Sequence, residues 1–341
     1  MSARVLIGIA LLGAFLLIAG EGCAPPAQEV GKELAKPSEV VEKPVIKPEP
    51  ATLALKFTQG EVDRYKAVSE LRKDYRFEQP AKKESKEEYS HAWMEMIFSQ
   101  RITHVGEEGS ALTEITIEGL KCYSALTQDV KLDFDSSRTG SGSEPLAKLI
   151  GQSYTIRMFP DGTVKYVDAA KARTVIREGL AASAAERIFS DEGIETRHTV
   201  PALLGRSDSP ARKGMQWSAV VDAPKGMLQP KKYEKAYRLT QTTDEKGRNI
   251  AVVQMQARAV EKMDEEGQVI DFFKQFFKGA DKYAGDGELV LNLDSGKVEK
   301  SSEKLEASWM AADPDYSDEN GPGPDVLMMG FIQSRSLEKL D

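Results

Sequence analysis

From Leu53 onward, apolar residues recur at every second position in one segment after another. Ala92, Met94, Met96, Phe98 and Ile102 alternate with mostly polar neighbours. So do Ala111, Thr113, Ile115 and Ile117, and again Val130, Leu132 and Phe134. Successive side chains on a strand point to opposite faces, so a period of two with one apolar face describes half-buried antiparallel strands. Leu53–Thr58, Glu61–Leu71, Gly214–Val221, Lys235–Thr243, Asn249–Val260 and Val326–Leu337 read as further strands.

Two hairpins are legible from their turns. In Ser153–Val167, Tyr154, Ile156 and Met158 share a face, Pro160-Asp161-Gly162 turns the chain, and Val164 and Tyr166 run back. In Glu288–Leu305, Leu289, Leu291 and Leu293 share a face and Asp294-Ser295-Gly296 makes the turn. Glycine accepts the positive φ of such turns and aspartate tolerates it.

Two segments break the pattern with helical spacing. Asp168–Ser190 carries Val175, Ile176, Leu180, Ala184 and Ile188 at helical intervals, and Gly179 weakens it, so it reads as one helix or as two shorter ones. Glu265–Lys278 places Val269, Phe272, Phe273, Phe276 and Phe277 on one face. Asp313–Asp325 is an acidic loop without apolar period. The pattern predicts an α+β, mainly β fold: a large, curved, half-barrel-like antiparallel sheet with two or three helices packed on one face.

The first fifty residues have another character. Arg4 precedes an apolar run from Val5 to Ala19, then Gly20-Glu21-Gly22-Cys23. A charged start, a short apolar core and a small-residue site predict an export signal over 1–22. Cys23 at the cut is the expected lipid-attachment site, although Gly20 and Gly22 also satisfy cleavage without lipid. Residues 23–52 hold Pro25, Pro26, Pro37, Pro44, Pro48 and Pro50 among Lys, Glu and Val, the composition of an extended, solvated tether. A single β-rich domain is then expected over 53–341.

With Cys23 acylated, Cys122 has no intrachain partner, so the domain must stand on its core. Leu120-Lys121-Cys122-Tyr123 reads as a strand carrying a buried thiol. The net charge of −8 argues against a nucleic-acid partner, which needs a basic surface.

A set of turn and strand features carries a family resemblance. They are Phe134-Asp135-Ser136-Ser137, Pro145–Leu149, Gly151-Gln152-Ser153-Tyr154-Thr155-Ile156 and Pro160-Asp161-Gly162-Thr163-Val164. Val200-Pro201, Gly214-Met215-Gln216-Trp217, Tyr237-Arg238-Leu239 and Gly285-Asp286-Gly287-Glu288-Leu289 follow. Their order and spacing over residues 53–306 resemble an uncharacterised family of exported bacterial lipoproteins. That resemblance implies an anchored envelope protein and brings no catalytic residue. The architecture is also similar to the bent sheet of periplasmic lipoprotein carriers, a likeness of fold alone.

Chemistry is sparse. His91, His104 and His198 do not stand at metal-ligand spacing, so no metal or cofactor is expected. Asp135-Ser136-Ser137 lacks the strained elbow of a nucleophilic serine and reads as a strand end bonding its own backbone. The acidic loop lacks the ligand order of a calcium loop. The residues singled out are therefore Cys23, for lipid, and Phe272, Phe273, Phe276 and Phe277, as core or as a face for an apolar ligand or partner. Trp93, Trp217 and Trp309 are candidates to line an apolar groove under that helix, or are core residues. The expected function is a non-enzymatic, lipid-anchored protein of the cell envelope, at the periplasmic face of the outer membrane. It would bind a lipid-like ligand or another envelope protein. A purely structural envelope component is the alternative, and a hydrolase a third reading.

Overall fold

The computed structural model describes residues 51–208, 210–222, 232–243, 246–260, 282–312 and 321–341. Cys23 and the Phe272–Phe277 segment lie outside the described residues, as does most of the acidic loop.

Among the described residues twelve strands form one antiparallel sheet. They are β1 Val62–Gln79, β2 Glu84–Val105, β3 Ala111–Leu126, β4 Asp129–Asp135, β5 Ser153–Met158, β6 Val164–Asp168, β7 Gln216–Val221, β8 Tyr233–Thr243, β9 Asn249–Ala259, β10 Lys282–Asn292, β11 Lys297–Ala312 and β12 Val326–Leu340. The order across the sheet is β6-β5-β3-β2-β1-β12-β11-β10-β9-β8-β7, with β4 branching from β3. Most neighbours in space are close in sequence. The exception is β1, which pairs with β12, so residues from opposite ends of the sheet-forming chain meet in the middle.

Register explains which side chains go inside. Tyr65 of β1 stands opposite Phe98 of β2 and Ala67 opposite Met96. The same face runs through Leu337, Ser301, Leu289, Val253 and Leu239 on successive strands. Most of these residues are buried in one large core. Full burial of each large apolar side chain stabilises by about 1.5–3 kcal/mol, which fixes the register against a one-residue slip.

The strands at the two ends of this path, β6 and β7, are short, and the segment between them is largely helical. It comprises α1 Ala170–Arg173, α2 Gly179–Phe189, α3 Asp191–His198 and a 3-10 turn at Pro201–Leu203. The Asp168–Ser190 stretch holds two helices separated by residues 174–178, and α2 opens at Gly179, whose φ of 76° is one that glycine adopts readily. The break also resets the helix phase. Ala181, Ala184, Ala185, Ile188 and Phe189 are buried, while Leu180 is 61% exposed rather than on the buried face. The start of α3 is set by Ser190, whose side chain accepts from the Gly193 N–H at 3.0 Å, with Asp191 and Glu192 in the first turn.

These helices pack on the inner face. The Phe189 ring meets Tyr154 edge-on at 5.9 Å, and His198 meets Phe98 edge-on at 5.0 Å. Gly162, in the β5–β6 turn, has room for no side chain, since a Cβ there would lie 2.8 Å from the Val200 carbonyl oxygen.

Leu53–Thr58 is not a strand of the sheet. Its backbone groups go to separate turns instead of one neighbour. The Leu55 N–H donates to Pro160 O at 2.8 Å and the Lys56 N–H to Gly296 O at 3.2 Å, while Ala51 O accepts from the Ala211 N–H at 2.7 Å. With Leu53 fully buried, the segment straps the β5–β6 and β10–β11 turns together. A second departure is β4, where Val130 is 51% exposed and Phe134 alone of the three alternating residues is buried. The strand lies off the main path and covers little of the core.

The sheet bends strongly near β10. In a flat sheet β8 and β11, three strand spacings apart, would stand roughly 14 Å from each other. Instead the Tyr233 hydroxyl of β8 donates to Glu306 O of β11 at 3.3 Å. Gly285 and Gly287 of β10 make this possible: a Cβ on Gly285 would lie 2.7 Å from Lys304 O, and one on Gly287 would lie 2.6 Å from Ser302 O.

Candidate functional site: an inner cavity with a cationic side

Between the bent sheet and the helices lies a cavity of about 430 Å³. That is within the size range of small-ligand sites. One wall is apolar: Ala67, Met94, Cys122 and Leu132 from β1 to β4, with Ala184 and Ile188 of α2. The opposite wall carries Val253, Met255 and Leu289. The strand alternation places all of these inside, and the bend at β10 brings the two walls to face each other.

Polar groups gather at one side. Lys235, Glu303 and Arg335 stand at inner-face positions of β8, β11 and β12. The Lys235 Nζ donates to both Glu303 oxygens at 2.8 Å, and Arg335 Nη2 donates to Glu303 Oε1 at 2.9 Å. Arg335 Nη1 reaches the Thr196 carbonyl of α3 at 3.4 Å, tying the sheet to the helices. Burial alone would raise the Glu303 carboxyl, but the Arg335 guanidinium and the Lys235 ammonium outweigh it and hold it below the usual carboxylate range. Tyr237 adds a hydroxyl that is buried without a hydrogen-bond partner among the described residues, and its ring stacks on Trp217 at 5.6 Å.

Arg197 of α3 forms the other polar element. Its Nη1 donates to the Tyr154 hydroxyl at 3.1 Å and its Nη2 to Ile188 O at 2.8 Å. The Tyr154 hydroxyl is in turn hydrogen-bonded to His198 Nε2 at 2.7 Å. Burial, followed by the nearby Arg197 charge, pushes the His198 pKa well below its ordinary value, so the imidazole is neutral.

Of the residues singled out in the sequence, Cys23, Phe272, Phe273, Phe276 and Phe277 are outside the described residues. Trp93 is at the cavity and Trp217 backs Tyr237. Trp309 donates to the Tyr283 hydroxyl at 2.6 Å in a separate small apolar cluster with Met329 and Phe331. The histidines do not converge: His91 bonds Glu70 at 2.9 Å, His104 is exposed, and His198 is buried. Among the described residues no group of three or more His, Cys, Asp or Glu could hold a metal ion, and no helix is long and apolar enough to cross a membrane. Asp135 Oδ1 accepts from the Ser137 N–H at 2.9 Å, and the Ser136 hydroxyl oxygen accepts from the Leu120 N–H at 2.9 Å, so both residues close a strand end. Cys122 is buried at the cavity wall, and burial pushes its thiol up to about 12.

No family model matches the chain, and no curated protein matches it either. Among solved structures, one titled for lipid–protein interactions in lipovitellin aligns at 11% identity and a TM-score of 0.44, over 84% of this chain and 26% of that one. The chain thus spans about a quarter of that structure's length. Two structures from Pseudomonas aeruginosa, OccK7 (OpdD) and OpdQ, align at 10% and 11% identity, each with a TM-score of 0.16. They cover 83% and 81% of this chain and 100% and 99% of their own. Scores this low define no shared fold.

Proposed function

We infer that this chain is an exported, envelope-tethered binding protein whose sheet, curled as a half-barrel, carries an apolar ligand in the cavity under α2 and α3. The observation that carries this reading is the cavity of about 430 Å³ itself, with apolar walls from two halves of one sheet. The cavity opens to solvent, so its apolar lining is held against water, and an apolar ligand that covered this lining would gain the free energy of the area removed from water. The N-terminal signal, Cys23 and the proline-rich tether favour a position at a membrane, where lipid-like molecules are the abundant apolar ligands. The resemblance to exported lipoproteins agrees with that position.

Mass spectrometry of material extracted from the purified full chain tests the reading. A lipid-like molecule recovered in stoichiometric amount is the expected result. It should be lost when the cavity is filled by Ala67→Phe and Ala184→Leu. Protein that carries no such molecule, and takes up none when offered lipid, would leave the cavity without this function.

A further inference from the structure

We propose that the ligand is an acidic amphiphile, an apolar chain ending in a carboxylate or phosphate, and that Arg197 anchors its head. The proposal rests on the cavity reading above and adds the chemical class of the ligand.

The helix side of the cavity carries two cations, Arg187 and Arg197, against one carboxylate, Glu192, and no ion pair among the described residues joins Glu192 to either arginine. Arg197 is half-buried and lines the cavity, yet no carboxylate among the described residues pairs with it. Two of its donors go to neutral acceptors, the Tyr154 hydroxyl and Ile188 O, and its Nε is buried with no partner. A guanidinium has five N–H donors, so three remain. Arg187, on α2 and also at the cavity, has no carboxylate partner among the described residues; its Nε donates to Ser183 O at 3.5 Å. The acid of the inner sheet face, Glu303, is already shared by Lys235 and Arg335. The outer-facing Glu70 is taken by His91 at 2.9 Å. A partly buried guanidinium that bonds only neutral acceptors is left short of partners, and a charge-assisted bond from an anionic ligand supplies one.

The geometry also fits an anchor. Arg197 is braced from behind by Tyr154, which is itself buried, so its guanidinium is positioned before a ligand arrives. The apolar wall of Ala67, Met94, Leu132, Ala184 and Ile188 leaves room for the chain. Arginine suits both carboxylate and phosphate heads, since its planar fork matches either.

The test uses the full chain in a neutral detergent, with a fluorophore-labelled long-chain fatty acid and the methyl ester of the same molecule as probes. Wild type is expected to bind the acid about tenfold more tightly than the ester, the step that one charge-assisted bond supplies. Arg197→Gln should bring the acid down to the affinity of the ester, and Arg197→Lys should restore part of the difference. Displacement of the acid by lysophosphatidate or by palmitate then tells phosphate heads from carboxylate heads. Equal binding of acid and ester by wild type would overturn the anchor while leaving the apolar cavity reading standing. Failure of both probes to bind would overturn that reading and the anchor with it. The wild-type comparison decides the matter even where a variant does not fold.

Discussion

The Lys235 ammonium on β8 sits 2.8 Å from both carboxylate oxygens of Glu303 on β11, with β9 and β10 between them in the sheet. Those strands offer Ala257, Gly285 and Gly287 along the way, so the two side chains meet over a path cleared of bulk. Both are nearly buried, at 4% and 12% side-chain exposure. Removing the carboxylate strands two cations, whereas removing the lysine leaves Glu303 with Arg335. Glu303→Gln is therefore expected to destabilise by about 3–5 kcal/mol, and Lys235→Met by distinctly less. Denaturant melts of the two variants check the order. Because the folded carboxyl lies below its ordinary value of 4.5, this stabilisation is present above that pH and is lost as pH falls through the folded value.

Gly287→Ala should destabilise by about 1–3 kcal/mol, because the new methyl group meets backbone that cannot move without flattening the bend. Gly142→Ala is the matching control, since nothing lies within 4 Å of the position its methyl group would take. Equal melting temperatures for the two variants would show that the bend does not depend on the glycine.

His198 gives a separate acid response. It is neutral in the fold and takes up a proton once unfolded, at the ordinary value of 6.5. The unfolded chain binds more protons below that pH, so this contribution is complete above 6.5 and falls away beneath it. On lowering the pH by a unit either side of that value, wild type should lose about 1.4 kcal/mol through this group. His198→Gln should show a correspondingly smaller difference between urea melts at the two pH values.

Cys122 should resist alkylation in the native state under mildly alkaline conditions and react fully in guanidinium, because burial pushes the thiol to about 12 and little thiolate exists. Peptide mapping locates the label. Rapid native labelling at Cys122 would mean that the cavity wall opens.

Much of this fold is legible in the alternation of the sequence. The β5–β6 and β10–β11 hairpins and β9 stand where their patterns put them, because each has one apolar face and the hairpins have glycine turns. The outer parts of β1 and β2 are hidden, since residues 72–79 and 84–91 carry charges on both faces and pair chiefly through backbone. Helix α3 is hidden as well, being polar over most of its length, though Ser190 followed by two acids is its signal. The cationic side of the cavity escapes for a different reason. Its members come from strands far apart in sequence, so no spacing betrays them. A trace does exist: Lys235 occupies the apolar phase between Tyr233 and Tyr237, and Arg335 the phase between Phe331 and Leu337. A charge in the buried phase of a strand calls for a partner inside.

The pairing of β1 with β12 also governs the order of assembly. Each half of the sheet can zip up locally from hairpins, but the joint at Tyr65 and Lys339 needs both ends of the sheet-forming chain. Contacts so distant in sequence form slowly. The middle of the sheet is thus completed last, and a chain still being synthesised exposes two unpaired edges until β12 arrives.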